Sequence, residues 1–352
     1  MCHTQMLQKM IDAGGIVMIP DGNYEITAPL EVGDNTRIIC SPNAVFRLAD
    51  NANCPILINR YAGPGSVTRN ITIDGGVWDG NNTRQNRDAY THPLYNWGQL
   101  ICLTGTEDLT LINMTIKDPN SFGIQLTDTA RFRIENIHFD CNKKNGNQDG
   151  VHVNGWARDG SITNLFGETN DDMVALNSDE GDFTGEYNDI ENITIENIFG
   201  GNDGWTAVRL LSRKAHLRHI TIRNIYGNYK YNVVSFTHWA EDANVQHYGF
   251  FDNITIENIH AASCRTSGIG HGGLIWFQND IEHVGTVVIN GLYRSEPAQN
   301  LNDVPTIDIE EGCNIDKLIL TNVMQSIPDD KPLIRRHEAA NVGLLTLDGV
   351  VQ

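Results

Sequence analysis

The stretches 192–198 and 253–259 of this chain read alike, N-I-T-I-E-N-I, and looser copies recur along its length. They are L-I-N-M (111–114), I-E-N-I (134–137), I-T-N-L (162–165), I-R-N-I (222–225), I-N-G-L (289–292), L-T-N-V (320–323) and L-D-G-V (347–350). The shared polar position falls on Asn113, Asn136, Asn164, Asn197, Asn224, Asn258, Gly291, Asn322 and Gly349, at intervals of 23, 28, 33, 27, 34, 33, 31 and 27 residues. An earlier, weaker copy lies near Gly75. A unit of this size cannot bury its own apolar face and must stack on its neighbours. Alternating β-branched residues predict a strand, and the Asn or Gly after them predicts a bend in the left-handed region. At one corner of successive coils, the Asn amides would bond to one another at the roughly 4.8 Å spacing of paired strands.

No helical period appears between these anchors. A second short strand follows each, and the variable intervals between units fit a β-solenoid with loops of unequal length. The chain is thus read as all-β: a right-handed parallel β-helix in one domain over 1–352, with about ten coils from 51 onward. Residues 1–50 form a lead-in, and a short amphipathic helix over 6–13 covers the open end of the stack.

Aligning the second strands gives two apolar columns that should point inward. One holds Ile101, Ile124, Val151, Val174, Val208, Val234, Leu274 and Ile307; the other runs from Leu103 through Leu176 to Phe236, Trp276 and Ile309. The residues between them should face out: Cys102, Gln125, His152, Ala175, Arg209, Ser235, Ile275 and Asp308, beside a column containing Asn154 and Asn177. The polar ones cluster mid-stack, which is where a site is expected.

Acidic residues gather at the start of the same strands. Asp149 opens D-G-V-H-V-N, and Asp171-Asp172 opens D-D-M-V-A-L-N. Asp149 and Asp172 are 23 residues apart, one coil, so they should lie about one strand spacing from each other. Three carboxylates so close cannot all ionise cheaply, and one should hold its proton. A proton donor beside an ionised base is what cleavage of a glycosidic bond requires. Around them His152, Arg209, Asn154, Asn177, Gln125 and Asp203 are candidates to hold a substrate, with Trp205 and Trp239 as surfaces on which a pyranose could stack. Trp156 flanks the same strip. Long stretches at 79–98, 142–147, 178–189 and 239–250 are placed to wall the groove.

A net charge of −19 argues against a nucleic-acid partner, and no apolar run is long enough for a membrane-spanning helix. A carbohydrate is the expected partner, and the oligomeric state is left open. The seven cysteines are scattered without C-x-x-C, which reads as buried free thiols. The start as given carries no secretory signal, leaving a cytoplasmic protein and a trimmed secreted one as alternatives.

N-Q-D-G followed one coil later by N-D-D-M-V-A-L resembles the N-T-D and G-D-D-C motifs of glycoside hydrolase family 28, the polygalacturonase-like enzymes of the pectin-lyase-like superfamily. The resemblance implies an inverting hydrolase in which Asp171 is the general acid and Asp149 with Asp172 activates the water. It implies no cofactor or metal. The family's other motifs are weaker here. Asp203 stands where its G-H-G histidine would be, Gly270-His271-Gly272 lies three strands further on, and its R-I-K motif is echoed in Arg209-Leu210-Leu211. Two other classes remain open: a β-helix lyase or epimerase using carboxylate-bound Ca²⁺ with Arg209 as base, and a non-enzymatic binding protein of the tail-spike kind.

Overall fold

The computed structural model describes residues 2–178, 188–238, 248–265, 272–296, 304–327 and 331–352. The chain winds as a right-handed parallel β-helix whose coils present three strand faces. One face begins at Leu30–Val32 and Leu57–Asn59 and takes the first residues of the long strands Ile101–Lys117, Ile124–Asp140 and Val151–Glu168. It then continues through Asp172–Ser178, Thr206–Ser212, Val234–Thr237, Ile275–Phe277, Ile307–Ile309 and Ile334–Arg336. A second face stacks the repeat strands themselves, Ile190–Phe199, His216–Tyr229 and Phe250–Ser263 among them. Every described pairing is parallel except the terminal hairpin between Asn341–Leu347 and Val350–Val351.

The bends arise where the repeat places them. Asn113, Asn136, Asn164, Asn197, Asn224, Asn258 and Asn322 all have φ between 53° and 60°. Asn is the non-glycine residue that tolerates this region best. Their amides form the expected ladder: Asn136 donates to Asn113 at 2.7 Å, Asn197 to Asn164 and Asn224 to Asn197 at 2.9 Å, and Asn258 to Asn224 at 2.7 Å. A second left-handed column also exists at Asp108, Arg131, Asp159, Asn192, His219 and Asn253. It turns the chain between the first and second faces, and its mixed residue types hid it in the sequence.

Between the bends, alternation buries one side of each strand. Ile193, Ile195 and Ile198 and their partners Ile220, Ile222 and Ile225 are all sealed from solvent. Burying each such side chain contributes about 1.5–3 kcal/mol as an upper bound. At the N-terminal end the helix His3–Asp12 buries Thr4, Leu7 and Ile11 against the first coil. Its Gln8 bonds the backbone of Glu31 in both directions, at 2.8 and 3.0 Å, so the helix covers the open stack end. All seven cysteines are free thiols, four of them buried.

One expected register is corrected. Val234 pairs with Ile275 and not with Leu274, and Ile275 in turn pairs with Ile307. Trp276 therefore leaves the inward column, aligns with Ser235 and Asp308, and faces outward, while Phe277 takes the core position stacked on Phe236 at 4.4 Å. A slip of one residue in a strand exchanges its two faces.

Candidate active site

The strand Val151–Glu168 lies between Ile124–Asp140 and Asp172–Ser178, with Val151 opposite Val174, His152 opposite Ala175 and Asn154 opposite Asn177. Just before these strands, Gly150 donates its N–H to the carbonyl of Asp172 at 2.9 Å, so Asp149 and Asp172 start adjacent rungs. A side chain at Gly150 would meet the Met173 carbonyl at 2.5 Å and the Phe139 ring at 2.9 Å. The glycine of N-Q-D-G thus lets the two aspartate-bearing turns close on each other.

The three carboxyl groups differ in surroundings. Asp149 and Asp172 are each only 3% exposed, whereas Asp171 keeps partial access to solvent. The Nδ1 of His152 lies 2.6 Å from an oxygen of Asp149. On the other side of the ring, Asn177 Nδ2 approaches Nε2 at 3.3 Å. With the amide nitrogen turned toward Nε2, the tautomer compatible with both contacts carries a proton on Nδ1, directed at Asp149. Arg209 reaches Asp172 with Nη1 at 3.4 Å, and its Nε donates to Thr237 at 3.3 Å. Among the described residues Asp171 makes no ion pair at contact distance. It accepts from the Asp172 N–H at 3.1 Å and from Asn147 Nδ2 at 3.3 Å.

Electrostatics follow from this. Burial, reinforced by the charges of Asp172 and Asp149, pushes Asp171 up to about 8, with Arg209 and His152 opposing. Burial also raises Asp172, to about 6, but the Arg209 guanidinium and a hydrogen bond from Thr206 hold it lower than its neighbour. At neutral pH the cluster keeps a proton, and Asp171 is the favoured holder. The group that is both protonated and open to solvent is the one that can donate to a bound molecule.

The other expected site residues divide. Gln125 is on the floor but wholly buried, its amide occupied by Gln99 at 2.6 Å and Thr127 at 3.1 Å; it supports the floor and leaves no group for a ligand. His152 faces outward in register but is 2% exposed, a partner of Asp149 and not a free surface histidine. Asn154 and Asn177 are fully buried on the same floor, and among the described residues neither amide atom of Asn154 has a hydrogen-bond partner. Asp203 takes no part in this cluster. It is held by Lys143 at 3.0 Å and Lys230 at 2.7 Å, and Lys143 also bonds Glu168 at 2.6 Å. Trp205 stacks on Tyr231 at 4.6 Å, with Lys230 over its ring, and Trp156 carries Arg158 at 4.8 Å. Trp239 and His271, with the stretches around them, lie outside the described residues. Among the described residues no group of three or more His, Cys, Asp or Glu is arranged to hold a metal ion, and no helix is long and apolar enough to cross a membrane.

Four residues escaped the sequence reading. Phe122 stacks on His152 with ring centroids 3.8 Å apart, and Trp97 lies over Phe122 at 6.2 Å. Arg87 sits over the Trp97 ring at 5.2 Å and donates to Gly146 and to Asn147 Oδ1, the latter at 3.1 Å. Asn147 is itself bonded to Asp171. Only the N-Q-D-G motif gave any sign of Asn147; the others arrive from a loop and a turn distant in sequence.

Residues 58–188, a segment containing all three aspartates, match the family model for Glycosyl hydrolases family 28. None of the curated proteins matches the chain. Among solved structures it is similar to a polygalacturonase from Erwinia carotovora ssp. carotovora, with a TM-score of 0.63 and 15% identity over 96% of this chain and 94% of that one. It is also similar to the endo-xylogalacturonan hydrolase of Aspergillus tubingensis, with TM-score 0.57 and 14% identity over 99% and 96% of the two chains. The A-module of a mannuronan C-5 epimerase from Azotobacter vinelandii follows, with TM-score 0.55 and 14% identity over 96% of each chain. At such identities these likenesses establish the fold alone.

Proposed function

We propose that this chain, a polygalacturonase-like β-helix resembling glycoside hydrolase family 28, is a glycosidase that hydrolyses a pectin-like polysaccharide or oligosaccharide with inversion. The observation that carries the reading is the unequal surroundings of three carboxyl groups on two adjoining rungs: Asp149 against His152, Asp172 against Arg209, and Asp171 with partial access to solvent. Asp171, protonated and partly open, is the general acid that gives its proton to the glycosidic oxygen as the bond breaks. Asp149 and Asp172, held in their ionised forms by His152 and Arg209, take the proton of the attacking water. An oxocarbenium-like transition state develops positive charge on the sugar ring, and the two carboxylates stabilise it as the bond lengthens.

His152 acts through Asp149: its Nδ1–H fixes the carboxylate, and Asn177 fixes the tautomer. Arg209, paired with Asp172, is a poor candidate for the base of a lyase, because the guanidinium stays charged in that pairing. The family match over the aspartate-bearing segment supports hydrolysis further.

The test is a panel of pectic and related glycans incubated with wild type and Asp171→Asn. Release of reducing sugar by wild type and its loss in the variant is expected, with NMR of the first product showing the inverted anomer. Equal release by both proteins removes Asp171 from the acid role. An unsaturated product absorbing in the ultraviolet would place the chain among lyases.

A further inference from the structure

The outward face that holds the site is covered on the N-terminal side of the carboxyl groups. Its outward column runs Glu31, Ile58, Cys102, Gln125, His152, Ala175, Arg209, Ser235, one residue per rung. On the N-terminal side of His152, Gln125 is fully buried and Cys102 is 3% exposed. Both point away from the core, so something outside the coil covers them. The cover is the loop 82–98. The carbonyl of Leu94 lies on the Cys102 thiol at 3.1 Å, and Gln99, at the end of the loop, is bonded to Gln125. Trp97 and Phe122 continue the cover directly onto the His152 ring.

Against the far flank of this barrier a groove of about 350 Å³ opens, lined by Glu31, Ile58, Arg60 and Tyr61 together with Leu94 and Cys102 themselves. A polysaccharide lying across the catalytic carboxyl groups would have to pass through Leu94, Trp97 and Phe122 to reach it. On the other side of the carboxyl groups Ala175 and Ser235 of the same column are buried, while Arg209 and, further along, Trp276 are partly exposed. The barrier is built into the site itself, since Arg87 of the same loop holds Asn147 against Asp171.

We propose that the loop 82–98 ends the substrate groove one rung from Asp149, so that the enzyme takes a polysaccharide by its terminus and removes one or two sugars at each cut. Arg87, half-buried and within electrostatic reach of Asp149 and Asp171, stands at the closed end, where it complements an acidic terminal sugar. The proposal rests on the hydrolase reading above and adds the direction from which the chain is threaded.

The experiment follows products of polygalacturonate and of a hexameric oligogalacturonide by chromatography, together with solution viscosity, using the full chain. Monomer or dimer from the first time points, with viscosity falling late, is the expected result. Early oligomers of mixed length overturn the closed end and leave the hydrolase reading standing. Replacing 91–97 with three glycines removes Leu94 and Trp97 but keeps Arg87 and the buried Tyr90. This variant, checked for an unchanged circular dichroism spectrum, should release longer oligomers and lose viscosity several-fold faster per bond cleaved. A folded variant that still yields only monomer or dimer overturns the role given to the loop. Should the variant fail to fold, the wild-type product pattern alone still decides whether the groove is closed. No bond cleaved in these or any glycan of the panel overturns the hydrolase reading, and the closed end with it.

Discussion

Two acidic clusters occupy successive turns on the same edge of the β-helix, and they have opposite fates. Asp171 and Asp172 face Arg209 and, at longer range, Arg87 reaches Asp171, yet burial still drives both carboxyls upward. Glu168 and Asp203 are also raised by burial, but Lys143 and backbone N–H groups for Glu168, and Lys230 with Lys143 for Asp203, more than offset it, and both end below their ordinary values. Neighbouring positions with the same residue type are thus separated by the supply of cations. A carboxyl matched by ammonium groups becomes a fixed anion that ties turns together. One left short of counter-charge keeps a proton that it can give away.

The sharpest way to break this contrast is to remove the proton donor. Asp171→Asn should lower turnover by about 10²–10⁴-fold, the usual contribution of a general acid, measured on whichever glycan the wild type cleaves. The wild-type pH profile should be bell-shaped, falling below about 6 as the Asp172 carboxylate protonates and above about 8 as Asp171 loses its proton. These are values of the cluster as a whole. Stability should move the other way. Asp171 is raised in the fold, so its contribution is fully present below the unfolded value near 4 and is lost as pH rises through about 8. Asp171→Asn should therefore raise the melting temperature at pH 9 and leave it nearly unchanged at pH 4. A variant that melts lower than wild type at pH 9 would mean that Asp171 is a structural anion like Asp203.

A smaller loss is expected from the support of the base. His152→Gln keeps a polar group near Asp149 but loses the stacked ring between Phe122 and the carboxylate. A misplacement of about 1 Å costs up to about 10²-fold, so kcat should fall by about 10–100-fold, with KM little changed and the acidic limb of the profile displaced. An unchanged acidic limb would show that His152 merely fills space.

Asp203→Asn probes the paired cluster. Because that side chain is 47% exposed, screening limits the loss to about 1 kcal/mol. A chain of this length should then melt lower by roughly 1–3 °C. The sign with pH is the reverse of that for Asp171: Asp203 is depressed in the fold, so its contribution exists above the unfolded value and is lost as pH falls. The difference from wild type should be clear at pH 7, vanish near pH 3, and leave turnover within about twofold. A loss of activity without a loss of stability would return Asp203 to the site.

How much of this was visible in the sequence depended on whether the deciding contact lay within the repeat. The anchors were legible because each Asn both permits the bend and bonds its counterpart, so one residue type recurs for two physical reasons. Asp149 and the Asp171-Asp172 pair were legible as neighbours because one coil separates them. The strand near 275 was misread because Gly273-Leu274-Ile275-Trp276-Phe277 is apolar at successive positions, and alternation then gives no phase. The lysines that take Asp203 out of the site are 60 and 27 residues away, and Arg87 reaches Asn147 across a separation of 60. Such pairings depend on where loops settle, and nothing in the repeat encodes that.

The smallest expected effect lies away from both clusters, in the asparagine ladder, and it tests whether the scaffold is indifferent to the chemistry on its other face. Asn224 donates to Asn197 at 2.9 Å and accepts from Asn258 at 2.7 Å, at a bend with φ of 59°. Asn224→Gly keeps the backbone conformation accessible and deletes both amide contacts, whereas Asn224→Ala deletes the contacts and also forces a β-carbon into the left-handed region. The first should cost about 1 kcal/mol, near the net value of one or two part-exposed hydrogen bonds, and the second about 1–2 kcal/mol more. Denaturant midpoints measure both, and turnover should be unchanged in each. If glycine proves as damaging as alanine, the ladder is held by amide contacts and not by backbone geometry. If glycine costs nothing, the recurrence of Asn at this corner reflects the bend alone.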